Sequence, residues 1–208
     1  VMKKSLWIFG VAVIALTGCT NNEVVDIPQS RAINFSNTFV NNATRADVTN
    51  ANFTQFWVYG GYQNGASWVD VFNNVKVSGA SVGSSAVWTP EETAYWQVNK
   101  TYNFGAYADG TSQLTTGISY EPASKTLTFS DYSAGANDLI AATSSDVSWD
   151  GSADPAKVQL SFNHMLSKVK FTFKTDAVET YTMKVSGLKI SQAIQTATGT
   201  MVNNVVGT

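Results

Sequence analysis

Toward the carboxy-terminal end, apolar and polar side chains take turns. Val158, Leu160 and Phe162 interleave with Lys157, Gln159, Ser161 and Asn163, and Val169, Phe171 and Phe173 interleave with Lys168, Lys170, Thr172 and Lys174. A period of two is the mark of a strand with one buried face, because successive side chains leave an extended backbone on opposite sides. Tyr181, Met183 and Val185 repeat the pattern, followed by Leu188 and Ile190. Similar short strands are predicted at Phe53–Tyr62, Tyr95–Val98, Thr101–Ala108 and Asp138–Thr143, with one or two more within Trp68–Val77. A hairpin of Ile118–Tyr120 with Thr126–Phe129 is predicted across Glu121–Lys125. Within Thr101–Ala108, the side chains of Tyr102, Phe104 and Ala106 fall on one face. Ser81–Ala86 and Asp146–Pro155 read as loops. A Ser/Thr cap, Pro and Glu at Thr89-Pro90-Glu91-Glu92 allow at most one helical turn. With almost no helical period, the chain predicts an all-β, antiparallel β-sandwich.

An earlier strand stands apart. Ile33, Phe35 and Phe39 are spaced for one buried face, and Asn41-Asn42-Ala43-Thr44-Arg45-Ala46 follows as an exposed loop that holds one of the two arginines. The other is Arg31. A strand joined to its core by a severable loop can leave, and the sheet then keeps an open edge and an apolar groove.

At the amino terminus, Met2-Lys3-Lys4 and the apolar run Leu6–Leu16 have the proportions of a secretory signal. The run is too short to cross a bilayer, which takes about 20 apolar residues. Val1 reads as an addition ahead of the true start, Met2. The run ends in Leu16-Thr17-Gly18-Cys19, which resembles the lipobox of bacterial lipoproteins. In such proteins the signal is cut before the cysteine, which is then acylated. Cys19 is the chain's one cysteine, so no internal disulfide forms. Two or three acyl chains hold a protein to a membrane stably where one does not. The expected organisation is a signal peptide over residues 1–18, a lipidated cysteine and polar tether over 19–32, and a β-domain over 33–208. Within that domain, residues 33–45 form the removable strand and cleavage loop.

Composition narrows the function. Only 13% of the 208 residues are charged, against 44% hydrophobic and 12% aromatic, a profile of extracellular β-proteins. The net charge of −2 becomes about −4 once the signal, with Lys3 and Lys4, is removed. Neither value gives an electrostatic case for nucleic acid. His164, the one histidine, has no cysteine or carboxylate at ligand spacing, so it is read as structural, hydrogen-bonding across a turn. Glu91 and Glu92 would point to opposite faces and read as solvated. No nucleophile, phosphate-loop or zinc motif is present. The chain reads as no enzyme, with no cofactor and no metal. Trp57, Trp68, Trp88, Trp96 and Trp149 either fill a core, line a groove between subunits, or stack on sugar rings. The last option keeps open a non-polymerising surface lipoprotein that binds glycan or a host ligand. Lys168, Lys170 and Lys174 read as a solvated or edge-protecting strip.

Four pieces together resemble the fimbrillin-like proteins, subunits and anchors of type V pili in anaerobic Gram-negative bacteria. They are the lipobox at Cys19; the first strand with Thr44-Arg45-Ala46; Trp88, Tyr95-Trp96 and Tyr102–Tyr107; and Asp138–Ala142 leading to Leu160–Phe171. The likeness covers the amino-terminal domain of such proteins, and a second β-domain is expected beyond Val205-Val206-Gly207-Thr208. The resemblance implies a transthyretin-like sandwich of Greek-key type and export to the outer membrane as a lipoprotein. It implies a cut by a trypsin-like protease between Arg45 and Ala46. The segment carrying Ile33, Phe35 and Phe39 is then replaced by a strand of a neighbouring pilin, in a fimbrium that serves adhesion at the cell surface.

Overall fold

Residues 31–39, 48, 53–79, 83–135, 137–167, 169, 171–174, 184–192 and 194–207 are described by a computed structural model. Strands β2 (Gln55–Asn64) and β3 (Ser67–Ser78) form a long hairpin, rich in the β-branched and aromatic residues that fit a pleated surface. Gly65 takes φ +65° at the first position of the two-residue loop, as a tight hairpin requires. β3 pairs with β4 (Gly83–Pro90), and β2 pairs with β5 (Thr101–Asp109). β8 (Leu139–Ser148) and β9 (Val158–His164) continue the sheet beyond β5. β1 (Phe35–Phe39) lies between β9 and β4 and closes a seven-stranded barrel in the order β1-β4-β3-β2-β5-β8-β9.

A second, four-stranded sheet, β11-β10-β7-β6, is built from β6 (Ile118–Glu121), β7 (Thr126–Ser133), β10 (Thr196–Val202) and β11 (Val205–Gly207). Asn203 and Asn204 turn β10 into β11 with φ values of 48° and 60°, a conformation asparagine tolerates. That turn docks on the barrel: the Thr143 amide donates to Asn204 Oδ1 at 2.7 Å, and the Asn204 amide donates to Thr143 Oγ1 at 2.8 Å.

Two cores follow from this arrangement. Inside the barrel, Ile33, Phe35, Phe56, Phe72, Trp88, Phe104, Leu160 and Phe162 pack together. Outside it, Trp57, Tyr107 and Leu139 of the barrel meet Leu127, Phe129 and Met201 of the second sheet. β5 therefore has both faces covered, with Tyr102, Phe104 and Ala106 inward, as their alternation predicts, and Tyr107 outward. Buried Asn103 fastens the layers, donating to the Pro122 carbonyl and accepting from the Asp146 amide, at 2.8 and 2.7 Å. Tyr107 fills the same role at the far end: its hydroxyl donates to Asn74 Oδ1 and accepts from the Leu114 amide. Burial raises its pKa well above the ordinary tyrosine value.

The fold is all-β, but the expected antiparallel sandwich is met only in the packing of the second sheet on β2, β5 and β8. The other seven strands form a closed barrel, and among the described pairings β1–β9 is parallel. Closure also explains the strands that do not form. Val169, Phe171 and Phe173, and later Val185, Leu188 and Ile190, lie outside any strand with 49–69% of each residue exposed. The edge of β9 on which the next stretch of chain would fold back as a hairpin is already occupied by β1. Lys174 is exposed, whereas Lys168, Lys170 and Tyr181–Met183 lie outside the described residues. The residues read as a loop at 83–86 belong to β4, and Thr89-Pro90 ends that strand instead of opening a helix. Pro at a strand terminus costs the ladder little. Of Tyr95–Val98, only Tyr95 pairs, in an isolated bridge to Ala32.

Candidate strand-exchange groove

β1 is held by both neighbours. Its parallel register with β9 runs Phe35↔Val158 through Phe39↔Phe162, and its antiparallel register with β4 joins Phe35 to Trp88 and Asn37 to Gly83 across an irregularity. Just ahead of it the chain is already pinned. The Trp96 amide donates to the Arg31 carbonyl at 3.0 Å, the Ile33 amide to the Ala94 carbonyl at 2.8 Å, and the Val158 amide to the Asn34 carbonyl at 2.9 Å.

Side chains do the rest. Ile33 and Phe35 are fully buried. The Phe35 ring meets Phe56 and Phe104 edge-on, at 5.9 and 5.6 Å, and Phe72 at 5.8 Å. Such aromatic pairs add to the about 1.5–3 kcal/mol that burying one phenylalanine contributes. Withdrawing β1 would leave a groove floored by Phe56, Phe72 and Phe104 and edged by the backbones of β4 and β9. The spacing predicts one buried face for β1, yet Ser36, which points the other way, is also buried. The alternation gave no signal for that, because burial of a serine depends on neighbours far away in sequence.

The remaining candidates divide by position. Cys19, Arg45 and Ala46 lie outside the described residues. Phe39 is placed by its backbone pairing with Phe162. Arg31 is exposed, with its guanidinium carbon 5.7 Å from the centre of the Trp149 ring, within the range of a cation–π contact. Trp57, Trp88 and Trp96 are buried in the two cores, and the half-buried Trp149 donates its indole N–H to the Ala153 carbonyl. These tryptophans therefore do not form one exposed sugar-stacking face. His164 meets Asp138 through a 2.5 Å contact between Nδ1 and a carboxylate oxygen, both side chains being nearly enclosed. Glu91 is exposed and pairs with Lys76 at 3.1 Å. Among the described residues, no group of three or more His, Cys, Asp or Glu is placed to hold a metal ion.

Fold and groove define a class: an all-β protein whose barrel is completed by one inserted strand. A family model described as fimbrillin-like matches residues 44–206. The chain belongs to the fimbrillin-like family, and with it to the pilus-related structural proteins. No curated protein and no solved structure matches it.

Proposed function

We propose that this chain is a structural subunit or anchor of a fimbrillin-like surface pilus, exported as an outer-membrane lipoprotein through Cys19. It assembles by strand exchange: a trypsin-like protease cuts between Arg45 and Ala46, the first strand leaves, and a strand from another pilin takes its place, in a fibre that serves adhesion. The observation that carries this reading is the seat of β1, a strand of five residues that closes the barrel and seats the buried Phe35 among three other phenylalanines.

Energetics support the exchange. An outgoing and an incoming strand of like sequence bury similar apolar area, at about 25 cal/mol per Å², and satisfy the same backbone groups of β4 and β9. The net change is small, so the exchange links two molecules at little cost in stability. The family match begins at residue 44, one residue ahead of Arg45. The part of the chain that has the family's pattern is thus nearly the part that would remain after the cut.

The test is Arg45→Ala. The variant should fold and reach the membrane yet fail to enter fibres as a cleaved subunit. Fibres of normal length built from the variant would show that the cut plays no part in assembly.

A further inference from the structure

Arginine-directed processing of this chain has two possible sites, Arg31 and Arg45, with different consequences. A cut after Arg31 severs the lipid tether and leaves β1 in the barrel, so the subunit is shed with its groove still filled. A cut beyond β1 frees the body from tether and strand together. We propose that the fold itself masks Arg31, with Trp149 as a specificity-determining residue, so that tether and first strand are lost in one event. The inference rests on the maturation reading above for its biological purpose, but not for its geometry.

A protease binds its substrate as an extended strand over several residues on either side of the cut, pairing with its backbone much as an added β-strand does. From Arg31 to Asn34, three backbone groups are already engaged by neighbouring segments. The Arg31 carbonyl already accepts from Trp96, Ala32 bridges to Tyr95, the Ile33 amide donates to Ala94, and Asn34 accepts from Val158. Ile33 and Phe35, which would have to enter the protease's pockets, have no exposed surface. The arginine side chain is engaged as well, resting on the Trp149 ring. The ring is held in turn by the bond from its indole to the Ala153 carbonyl, and the Trp149 main chain by the bond that its carbonyl accepts from the Asn99 amide. To be cut, Arg31 must wait for the start of β1 to peel off the barrel, a local opening whose population sets the rate of cleavage.

The experiment treats the full chain with an arginine-specific endopeptidase, native and unfolded in urea, and reads new amino termini by mass spectrometry. The native chain should yield an Ala32 terminus at least about 100-fold more slowly than the unfolded one. Trp149→Ala should raise the native rate at Arg31 about 2- to 5-fold, and Trp149→Phe, which keeps a ring, should stay near wild type. Near-UV circular dichroism establishes that each variant is folded. Should Trp149→Ala fail that check, the comparison of native with unfolded wild type still decides. Native cleavage at Arg31 within about threefold of the unfolded rate overturns the masking. Failure of any Ala46 terminus to appear counts against the maturation reading alone and leaves the masking of Arg31 standing.

Discussion

At the residue scale, Phe35 and Asp109 make contrasting predictions. Phe35 is enclosed by aromatic rings, and Phe35→Ala should destabilise the uncut chain by about 3–5 kcal/mol, measured by urea unfolding. Phe171→Ser and Phe173→Ser, at positions 50% and 56% exposed, should each stay within about 0.5 kcal/mol of wild type. Equal losses at all three sites would contradict the placement of Phe171 and Phe173 outside the barrel. Burial raises the pKa of the Asp109 carboxyl, although hydrogen bonds from Tyr132 and Asn137 act the other way. The folded state therefore holds that proton more tightly than the unfolded chain does. Stability from this group is full below about pH 4, the ordinary carboxyl value, and is lost as pH rises through the raised folded-state value. Asp109→Asn should melt above wild type at pH 7 and converge with it near pH 3 in paired thermal scans.

At the element scale, the sequence shows most where a strand has one wet face. β9 and the β6–β7 hairpin follow the alternation of Val158, Leu160 and Phe162 and the turn residues after Glu121, and β5, though covered on both faces, keeps Tyr102, Phe104 and Ala106 on one of them. β10, with the small residues Thr-Ala-Thr-Gly-Thr, has no such stripe, and only the Asn203-Asn204 pair between Val202 and Val205 marks its turn. Asn204→Ala, losing a side-chain acceptor at a positive φ, should cost about 1–3 kcal/mol by thermal melt. The groove itself was half legible. The burial of Ile33 and Phe35 follows from their spacing, whereas the partners of β1 do not, because β4 and β9 are chosen by closure of the barrel and no local pattern records that choice. The same blindness made Val169–Phe173 read as a strand, since alternation describes a side-chain pattern and not the availability of an edge. If β1 is a replaceable element, a chain beginning at Ala46 should bind a synthetic peptide of residues 31–44 in a tryptophan-fluorescence titration reporting on Trp88. The peptide with Phe35→Ala should bind more than about 100-fold more weakly, as about 1.4 kcal/mol is tenfold. Equal affinities would mean that the groove does not read Phe35.

At the scale of the whole molecule, taking out β1 exposes two edges at once, on β4 and on β9, together with the phenylalanine-lined interior. Open edges of this kind invite pairing with other chains. The stripped chain should therefore grow in light scattering as its concentration rises, and excess 31–44 peptide should hold it small. The uncut chain, whose barrel has no free edge, should not grow. Growth of both forms alike would place the association elsewhere on the surface.

The parallel course of β1 beside β9 carries one more consequence. Its leading end sits by Val158 and its trailing end by Phe162, so the strand enters at one mouth of the barrel and leaves at the other. A successor threaded in the same sense would approach every molecule from the same side, as in a string of arrows laid nose to tail. Such a filament would be polar, with two unlike tips.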